Sequence, residues 1–403
     1  MGNELPVLAD ASVCNRCAAC AAVCPVKAIQ MMPDDQGFTY PKVDEGHCLS
    51  CGKCVRTCPV LTPPSPQSVQ EAWGAVTNRK EELMRSSSGG IFQLLASKVL
   101  ACGGVVFGAK FDSDFNVVLD CCEEISELSK FQGSKYVLCS ENGAYLKALE
   151  YLKAGREVLF SGTPCQLAAL KNVLGNTAYS GKLLTVGCVC HGVPSPKVWQ
   201  KYLHERMEVL GSDKIIEINC RDKCLSWYDY SMSILFSEGK KYTCIYKHDP
   251  FLRGFLQHLY LNPACFHCRF KNPHWTQDIT LADFWKVKKF LPQLFDEKGG
   301  VSLVLIHSTA GKQLMESIAD EMKCFEVPVK KSMASNPASM ISAKTSPYSK
   351  AFWQDYSKYP LLKLLHWYNY PNWWKSLINL FPNWRHSHIN NIIVPSNHPQ
   401  ENH

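Results

Sequence analysis

The apolar and polar positions of this chain fall into three textures. Residues 1–62 form a pseudo-repeat, each half predicting a short strand or loop, a cysteine run and a helical turn. So short a segment could hardly build a large apolar core alone. Residues 63–70, opening with Pro63-Pro64-Ser65-Pro66, predict a stiff connector that holds this unit beside the next. From Glu71 strand-like and helix-like periods alternate. Ala72–Val76, Val105–Ala109, Val117–Leu119, Val158–Phe160 and Leu183–Val186 predict strands. Ile91–Leu100, Tyr145–Leu152 and Lys197–Val209 predict helices, the last opened by Ser195-Pro196. Thr163 caps another helix, with Pro164 at its first position. Ile215–Asn219 and Ser231–Phe236 predict antiparallel strands around a turn. Such alternation argues for an α/β or α+β body with a mixed sheet, over segments 71–152 and 153–345. The third texture, 346–403, is aromatic and basic, with Trp353, Trp367, Trp373, Trp374 and Trp384. Leu361–Phe381 predicts an amphipathic helix broken at Pro371 and packed on the body. Residues beyond His386 are expected to be disordered.

Composition narrows the class. With 403 residues and 46% hydrophobic content, the chain is long enough for two or three soluble domains. The net charge is +7; residues 1–62 hold five Lys/Arg and six Asp/Glu, so the remainder carries the whole excess. That excess is spread without a basic run, which argues for a solvated surface favouring phosphate-bearing cofactors and against nucleic acid. Twenty-one cysteines follow no secretory signal, so a reducing cytoplasm with thiols serving metals is expected. No stretch approaches a transmembrane segment; the longest apolar run, Val99–Ala109, is broken by Gly103, Gly104 and Gly108.

The cysteines carry the sharpest signal. Cys14-x2-Cys17-x2-Cys20-x3-Cys24-Pro25 is repeated as Cys48-x2-Cys51-x2-Cys54-x3-Cys58-Pro59. This is the run of a bacterial two-cluster ferredoxin, in which three close thiolates hold one [4Fe–4S] cube and the fourth reaches to the other. Cys14, Cys17, Cys20 and Cys58 are then expected on cube one, and Cys48, Cys51, Cys54 and Cys24 on cube two. Zinc sites and disulfide frameworks do not repeat this spacing.

Three glycine-containing junctions follow strands or open helices. Ser87-Ser88-Gly89-Gly90, after Arg85-Ser86, stands at a helix N-terminus, where free N–H groups and the helix dipole favour a pyrophosphate. The alternative is an ordinary serine cap. Gly162-Thr163-Pro164-Cys165-Gln166 is a strand-to-helix turn of the kind at which α/β sheets bind ligands. Cys165 lies in the first helical turn, where the dipole is expected to lower its pKa. Cys188-Val189-Cys190-His191-Gly192-Val193-Pro194 follows the next strand. His191 reads as a proton donor or as a residue fixing its loop. Cys265-x2-Cys268 reads as a packing pair or, joined with Cys165 and Cys190, as a third [4Fe–4S] site. Asp278 and Asp283 read as strand residues or as groups orienting ligands.

Taken together, these segments resemble the beta-subunit family of coenzyme F420 hydrogenases and dehydrogenases, in its bacterial branch with a fused two-cluster ferredoxin unit. Besides the three junctions, the resemblance is carried by Arg221-Asp222-Lys223, Cys265-x2-Cys268, Asp278-Ile279-Thr280-Leu281-Ala282-Asp283-Phe284-Trp285 and Gly299-Gly300-Val301-Ser302. The chain departs from the usual pattern at Ser226, at Lys286 and over His274–Gln277. The resemblance implies FAD near the middle of the fold. It also implies an iron–sulfur cluster beside it, with Cys190, Cys265 and Cys268 as ligands and Cys165 as the fourth. The expected fold is thus a two-cluster ferredoxin-like domain followed by a mixed-sheet flavin-binding α/β body. The expected function is an iron–sulfur flavin-dependent oxidoreductase that passes electrons between clusters and a small organic hydride carrier or substrate. Its other partner would be a redox protein or ferredoxin. The alternative is a non-catalytic electron-transfer subunit.

Overall fold

The fold comes from a computed structural model, which describes residues 4–175 and 181–369. In chain order the strands are β1 (Ile29–Pro33), β2 (Thr39–Val43), β3 (Glu71–Thr77), β4 (Val105–Phe111), β5 (Val117–Cys122), β6 (Cys139–Ser140) and β7 (Val158–Gly162). They continue as β8 (Leu183–Cys188), β9 (Ile215–Asp222), β10 (Ser231–Phe236), β11 (Lys241–Ile245), β12 (Ile279–Asp283), β13 (Ser302–Ile306) and β14 (Met322–Glu326).

The cysteine-rich unit folds as the pseudo-repeat predicts. Each half contributes a short helix, Ala19–Ala22 or Lys53–Thr57, and β1 pairs antiparallel with β2. Few of its apolar side chains are buried; Ala19, Ala28, Ile29, Phe38 and Val60 are the main ones. The unit is bound firmly to the rest. Arg16, in the left-handed region at φ 58°, bonds the Asn262 side chain. Asn172 Nδ2 donates to the carbonyls of Thr57 and Thr62, and Lys197 Nζ to that of Asp35. Gly37 sits against the helix Pro196–Leu210, where a Cβ would lie 2.5 Å from Lys197 Cβ. The connector is tied down too, since Gln67 N donates to Trp275 O and Gln70 N to Ile306 O.

A nine-stranded sheet in the order β14-β3-β13-β12-β8-β7-β4-β5-β6 forms the body. Its centre, β12-β8-β7-β4, is parallel, and both flanks turn antiparallel. Strands from 71–152 and from 153–345 share this one sheet, so the two segments build a single body. Both faces are covered, which explains the continuous apolar runs. Val106 and Leu159 pack under the helix Ile91–Ala101. Their neighbours Val105, Phe107, Val158 and Phe160 point the other way, towards the helices Ala144–Lys153 and Pro164–Leu174. Side chains alternate because the strand period is two.

A separate antiparallel sheet, β9-β10-β11, packs with the helices Pro196–Leu210, Pro250–Leu256 and Leu361–Asn369. Ile215–Asn219, extended to Asp222, and Ser231–Phe236 are its first two strands; Lys241–Ile245 is a third, which the sequence reading leaves unassigned. Leu361–Asn369 buries Leu361, Leu364 and Leu365 against the body, as the sequence predicts. The Glu205 carboxylate accepts from Leu361 N at 2.6 Å and Leu362 N at 2.8 Å, capping that helix from a neighbouring one. Pro371, Trp373, Trp374, Phe381, Trp384 and the segment after His386 lie outside the described residues. No helix among the described residues is long and apolar enough to cross a membrane.

Candidate redox site

Parallel strands put their carboxyl ends at one edge, and in open α/β sheets that edge takes the ligand. Here β4, β7, β8 and β12 end there, while the antiparallel β5 and β13 begin there. A cavity of about 500 Å³ occupies this edge. The sheet order therefore brings all three predicted junctions, spread over more than a hundred residues of sequence, to one place.

Most of the predicted loop residues reach the cavity. Ser87, Ser88, Gly90, Gly162, Thr163, Gln166, His191 and Gly192 line it. Gly89 and Pro164 do not. Gly89 N donates to Ser302 Oγ at 3.0 Å, and a Cβ there would lie 2.3 Å from Ala75 O, so this glycine packs the turn onto β3 and β13. Pro164 is buried at the first position of its helix. Gly90 holds φ 80° with a would-be Cβ 2.6 Å from Thr77 Cγ2, a position only glycine fills without strain. Gln166 Oε1 accepts from Thr163 N at 3.0 Å, as a capping pair does. Ser87 and Ser134 hydroxyls lie 2.9 Å apart across the cavity wall.

Lys223 fixes the serine–glycine turn from behind. Its Nζ donates to the carbonyls of Leu83, Ser88 (3.2 Å) and Gly299 (2.6 Å). Burial, with Arg221 nearby, lowers its pKa to about 7. Arg221 stands on the cavity wall with a bidentate ion pair to Asp283, at 2.8 and 3.3 Å. Trp227 Nε1 donates to the same carboxylate at 3.0 Å, and the guanidinium stacks 4.2 Å from the Tyr230 ring. Asp283 thus orients a cation at the cavity. Asp278 is structural: it accepts from Thr185 N at 2.8 Å and from Ser308 Oγ at 2.7 Å, joining strands.

His191 Nε2 lies 2.8 Å from His258 Nε2, and His258 Nδ1 lies 2.6 Å from Lys344 O. The carbonyl takes the His258 Nδ1 proton, so His191 donates through Nε2 and keeps an acceptor at Nδ1. Burial and the neighbouring His258 push the His191 pKa down to about 4. The ring is therefore neutral at pH 7, with its proton held by His258. That favours the loop-fixing role over the proton donor.

The cysteines sort into neighbouring sets. Burial raises the thiol pKa values of Cys14, Cys17 and Cys20; Cys14, Cys20 and Cys58 add to the rise, and so do Cys165 beside Cys17 and Cys54 beside Cys20, where neighbouring sets meet. Cys54 is raised by burial, with Cys48 and Cys51 contributing. Cys24 Sγ accepts from Ala28 N at 3.2 Å. Cys165, Cys190, Cys265 and Cys268 form a third neighbourhood. Cys165 is pushed up to about 12 by burial and then by Cys190 and Cys268, and Cys265 is raised by burial and then by Cys190. The helix dipole does not lower Cys165 as expected, because enclosure and neighbouring thiols outweigh it. Among the described residues no three His, Cys, Asp or Glu side chains converge closely enough for a metal ion. A cube sets iron and sulfide between its thiolates, and so needs wider spacing than one ion. Cys17, Cys165 and Cys190 line the cavity. Cys58, Cys165 and Cys268 pack on one apolar cluster of Val60, Ala168 and Phe270.

Comparison with known proteins bears on this arrangement. Residues 13–61 match the 4Fe-4S dicluster domain. Residues 155–331 match the C-terminal part of the coenzyme F420 hydrogenase/dehydrogenase beta-subunit family. The chain thus joins an iron–sulfur dicluster domain to a segment that matches this family. No curated protein matches it. A xenon-derivatised structure of the F420-reducing [NiFe] hydrogenase complex from Methanosarcina barkeri is similar, with 17% identity over 68% of this chain and 89% of that chain. Its TM-score of 0.46 is too low for the likeness to carry an argument. Within the family segment lie Cys165, Cys190, Cys265, Cys268, Arg221, Lys223 and Asp283. Reasoning from sequence assigns no role to Gln132-Gly133-Ser134-Lys135-Tyr136, Arg16 or His258, and marks Lys223 only within the Arg221-Asp222-Lys223 run. The Gly133-Ser134-Lys135 turn was the signal for the first; Arg16 and His258 became visible only as contacts.

Proposed function

We propose that this protein is an iron–sulfur flavoprotein oxidoreductase. Three cubes would be held by the cysteine sets above, and FAD by the cavity. The carrying observation is that Cys17, Cys165 and Cys190 open onto the same cavity as the three glycine loops. A bare electron relay has no need of such a chamber.

The residues fit FAD. A volume of about 500 Å³ suits a large organic ligand. Ser87, Ser88, Ser134 and Lys135 would hold the pyrophosphate with Gly90 allowing close approach, and Arg221 keeps a buried Nε without a partner. When bound, FAD would supply the exchange between single electrons and a hydride on an organic substrate. The chain's part is to bind and orient: Lys223 sets the serine–glycine turn, Asp283 aims Arg221, and the His191–His258 pair sets the Cys190 loop. A cytoplasmic setting and a redox protein as second partner belong to the same reading.

Iron and flavin analysis of anaerobically purified protein tests this. Two or three cubes and about one FAD per chain are expected. Cys268→Ala should remove one cube and leave two. One cube or none in the wild type refutes the cluster reading; cubes without flavin refute the enzyme and leave the relay.

A further inference from the structure

Arg16 lies where the cube-one and cube-three cysteine sets meet. Its Nη1 donates to Cys14 O at 2.6 Å and to the Asn262 side chain. Asn262 in turn opens the turn that carries Cys265: its carbonyl accepts from Cys265 N at 2.9 Å, and its Oδ1 from Ala264 N at 2.9 Å. The two sets also touch where Cys58 packs with Cys165 and Cys268. Arg16 is only 3% exposed, with its guanidinium 4.9 Å from the Phe38 ring centre and 4.2 Å from that of Tyr40. Its other bonds go to Ala11 O and the Tyr40 hydroxyl, so none of its hydrogen-bond partners among the described residues is an acid. Burial lowers its pKa to about 10, while Cys14, then Cys265, then Asp34 pull it up. It is a cation at pH 7, and one ligand of each cube acts on it more strongly than the nearby acid does. The pseudo-repeat supplies a comparison. Cys14-Asn15-Arg16-Cys17 corresponds to Cys48-Leu49-Ser50-Cys51, and Arg16 and Ser50 both adopt the left-handed conformation, at φ 58° and 49°. The cysteine run therefore fixes the backbone here but does not call for a cation.

We propose that Arg16 is an electrostatic element shared by two cubes, stabilising an added electron on cube one and on cube three. The inference rests on the cube assignment above. An added electron makes a thiolate-ligated cube one charge more negative, and net charge near the cluster sets its potential. A fixed cation away from solvent favours that state more than an exposed one, because less of its field is screened. Its contribution favours an electron on the inner two cubes over cube two, whose run has Ser50 at this place. When an electron passes inward, cube two loses it and cube one gains it, then cube one loses it and cube three gains it. No proton or bond changes hands in these steps.

The test is a dithionite titration of the iron-loaded protein, followed by electron paramagnetic resonance, which gives a midpoint potential for each cube. Arg16→Gln should lower the one-electron reduction constants of two cubes about tenfold, or about 59 mV each, and leave the third unchanged. In the Cys268→Ala background, which lacks cube three, one potential should fall and one should stay. Arg16→Lys keeps the charge without the planar fork and should restore both potentials. Asn172→Ala loosens the same unit, by removing the bonds to Thr57 O and Thr62 O, and should leave all three potentials in place. Asn262→Asp keeps both acceptor roles of Oδ1 and cancels the charge, so it should reproduce the Arg16→Gln shift, and it decides the matter if Arg16→Gln loses iron. Unchanged potentials in these charge variants, with iron intact, overturn the proposal. So does a fall that Arg16→Lys and Asn172→Ala reproduce, since that marks a purely structural role. Absent cubes in the wild type would instead refute the cluster reading.

Discussion

Lys223→Met separates the placement of the serine–glycine turn from the stability of the fold. The ammonium donates to three carbonyls, those of Leu83, Ser88 and Gly299. Hydrogen bonds from a charged group contribute about 1.5–3 kcal/mol each. Against them stands burial, which lowers the pKa from the ordinary 10.5 to about 7. At ~1.4 kcal/mol per pK unit, that is a penalty of roughly 5 kcal/mol for keeping the charge inside. Methionine removes both, so the two effects largely offset and global stability should change by less than about 2 kcal/mol. The turn, however, loses its tether at Ser88. Loss of one to two such bonds at a phosphate loop should weaken FAD binding about 10- to 100-fold. Flavin fluorescence titration of deflavinated protein measures this, and urea unfolding measures stability. The pH dependence gives a second sign. The folded-state pKa is depressed, so this group's contribution to stability is present above pH 10.5 and is lost as pH falls towards 7. Between pH 7 and 9 the wild type, compared with Lys223→Met, should therefore gain stability while losing one donor at the turn. Its FAD affinity should fall over the same range. Wild-type affinity in the variant, or an affinity loss matched by an equal loss of stability, would refute the tether.

Three further outcomes are expected. Arg16→Met removes bonds to Cys14 O, Tyr40 and Asn262, and should destabilise the N-terminal unit by roughly 3 kcal/mol; faster proteolysis within residues 62–70 would report the loosened unit, with unchanged cleavage speaking against it. Gly90→Ala meets Thr77 and a φ of 80°, so unfolding by urea should show a loss of about 1–3 kcal/mol together with FAD release. Glu205→Ala uncaps the helix Leu361–Asn369 and should cost about 1–2 kcal/mol, with FAD affinity unchanged.

Local sequence determined a great deal here, wherever chemistry is set by short spacing. The eight cysteines of the doubled run carry their ligand geometry within about ten residues each, so the dicluster domain was legible at once. Strands such as Val158–Phe160 and the helix opened by Thr163-Pro164 were equally plain, because periodicity, a cap and a proline act over one or two turns. What the sequence left open was convergence. Gly89 and Gly90 are adjacent and look alike, yet one packs on β3 and β13 while the other lines the cavity, a difference set by the strands behind them. Arg221-Asp222-Lys223 stands out in the sequence as a motif without partners, until β9 brings Lys223 behind the serine–glycine turn and Arg221 beside Asp283. The His191–His258 contact joins two loops separated by the whole second sheet. Cys165 sits where a helix dipole favours a thiolate, and burial, then Cys190 and Cys268, reverses that. Sequence determines the groups and their local turns. The order of nine strands decides which of them meet, because contacts across a sheet edge depend on pairing between segments far apart in the chain.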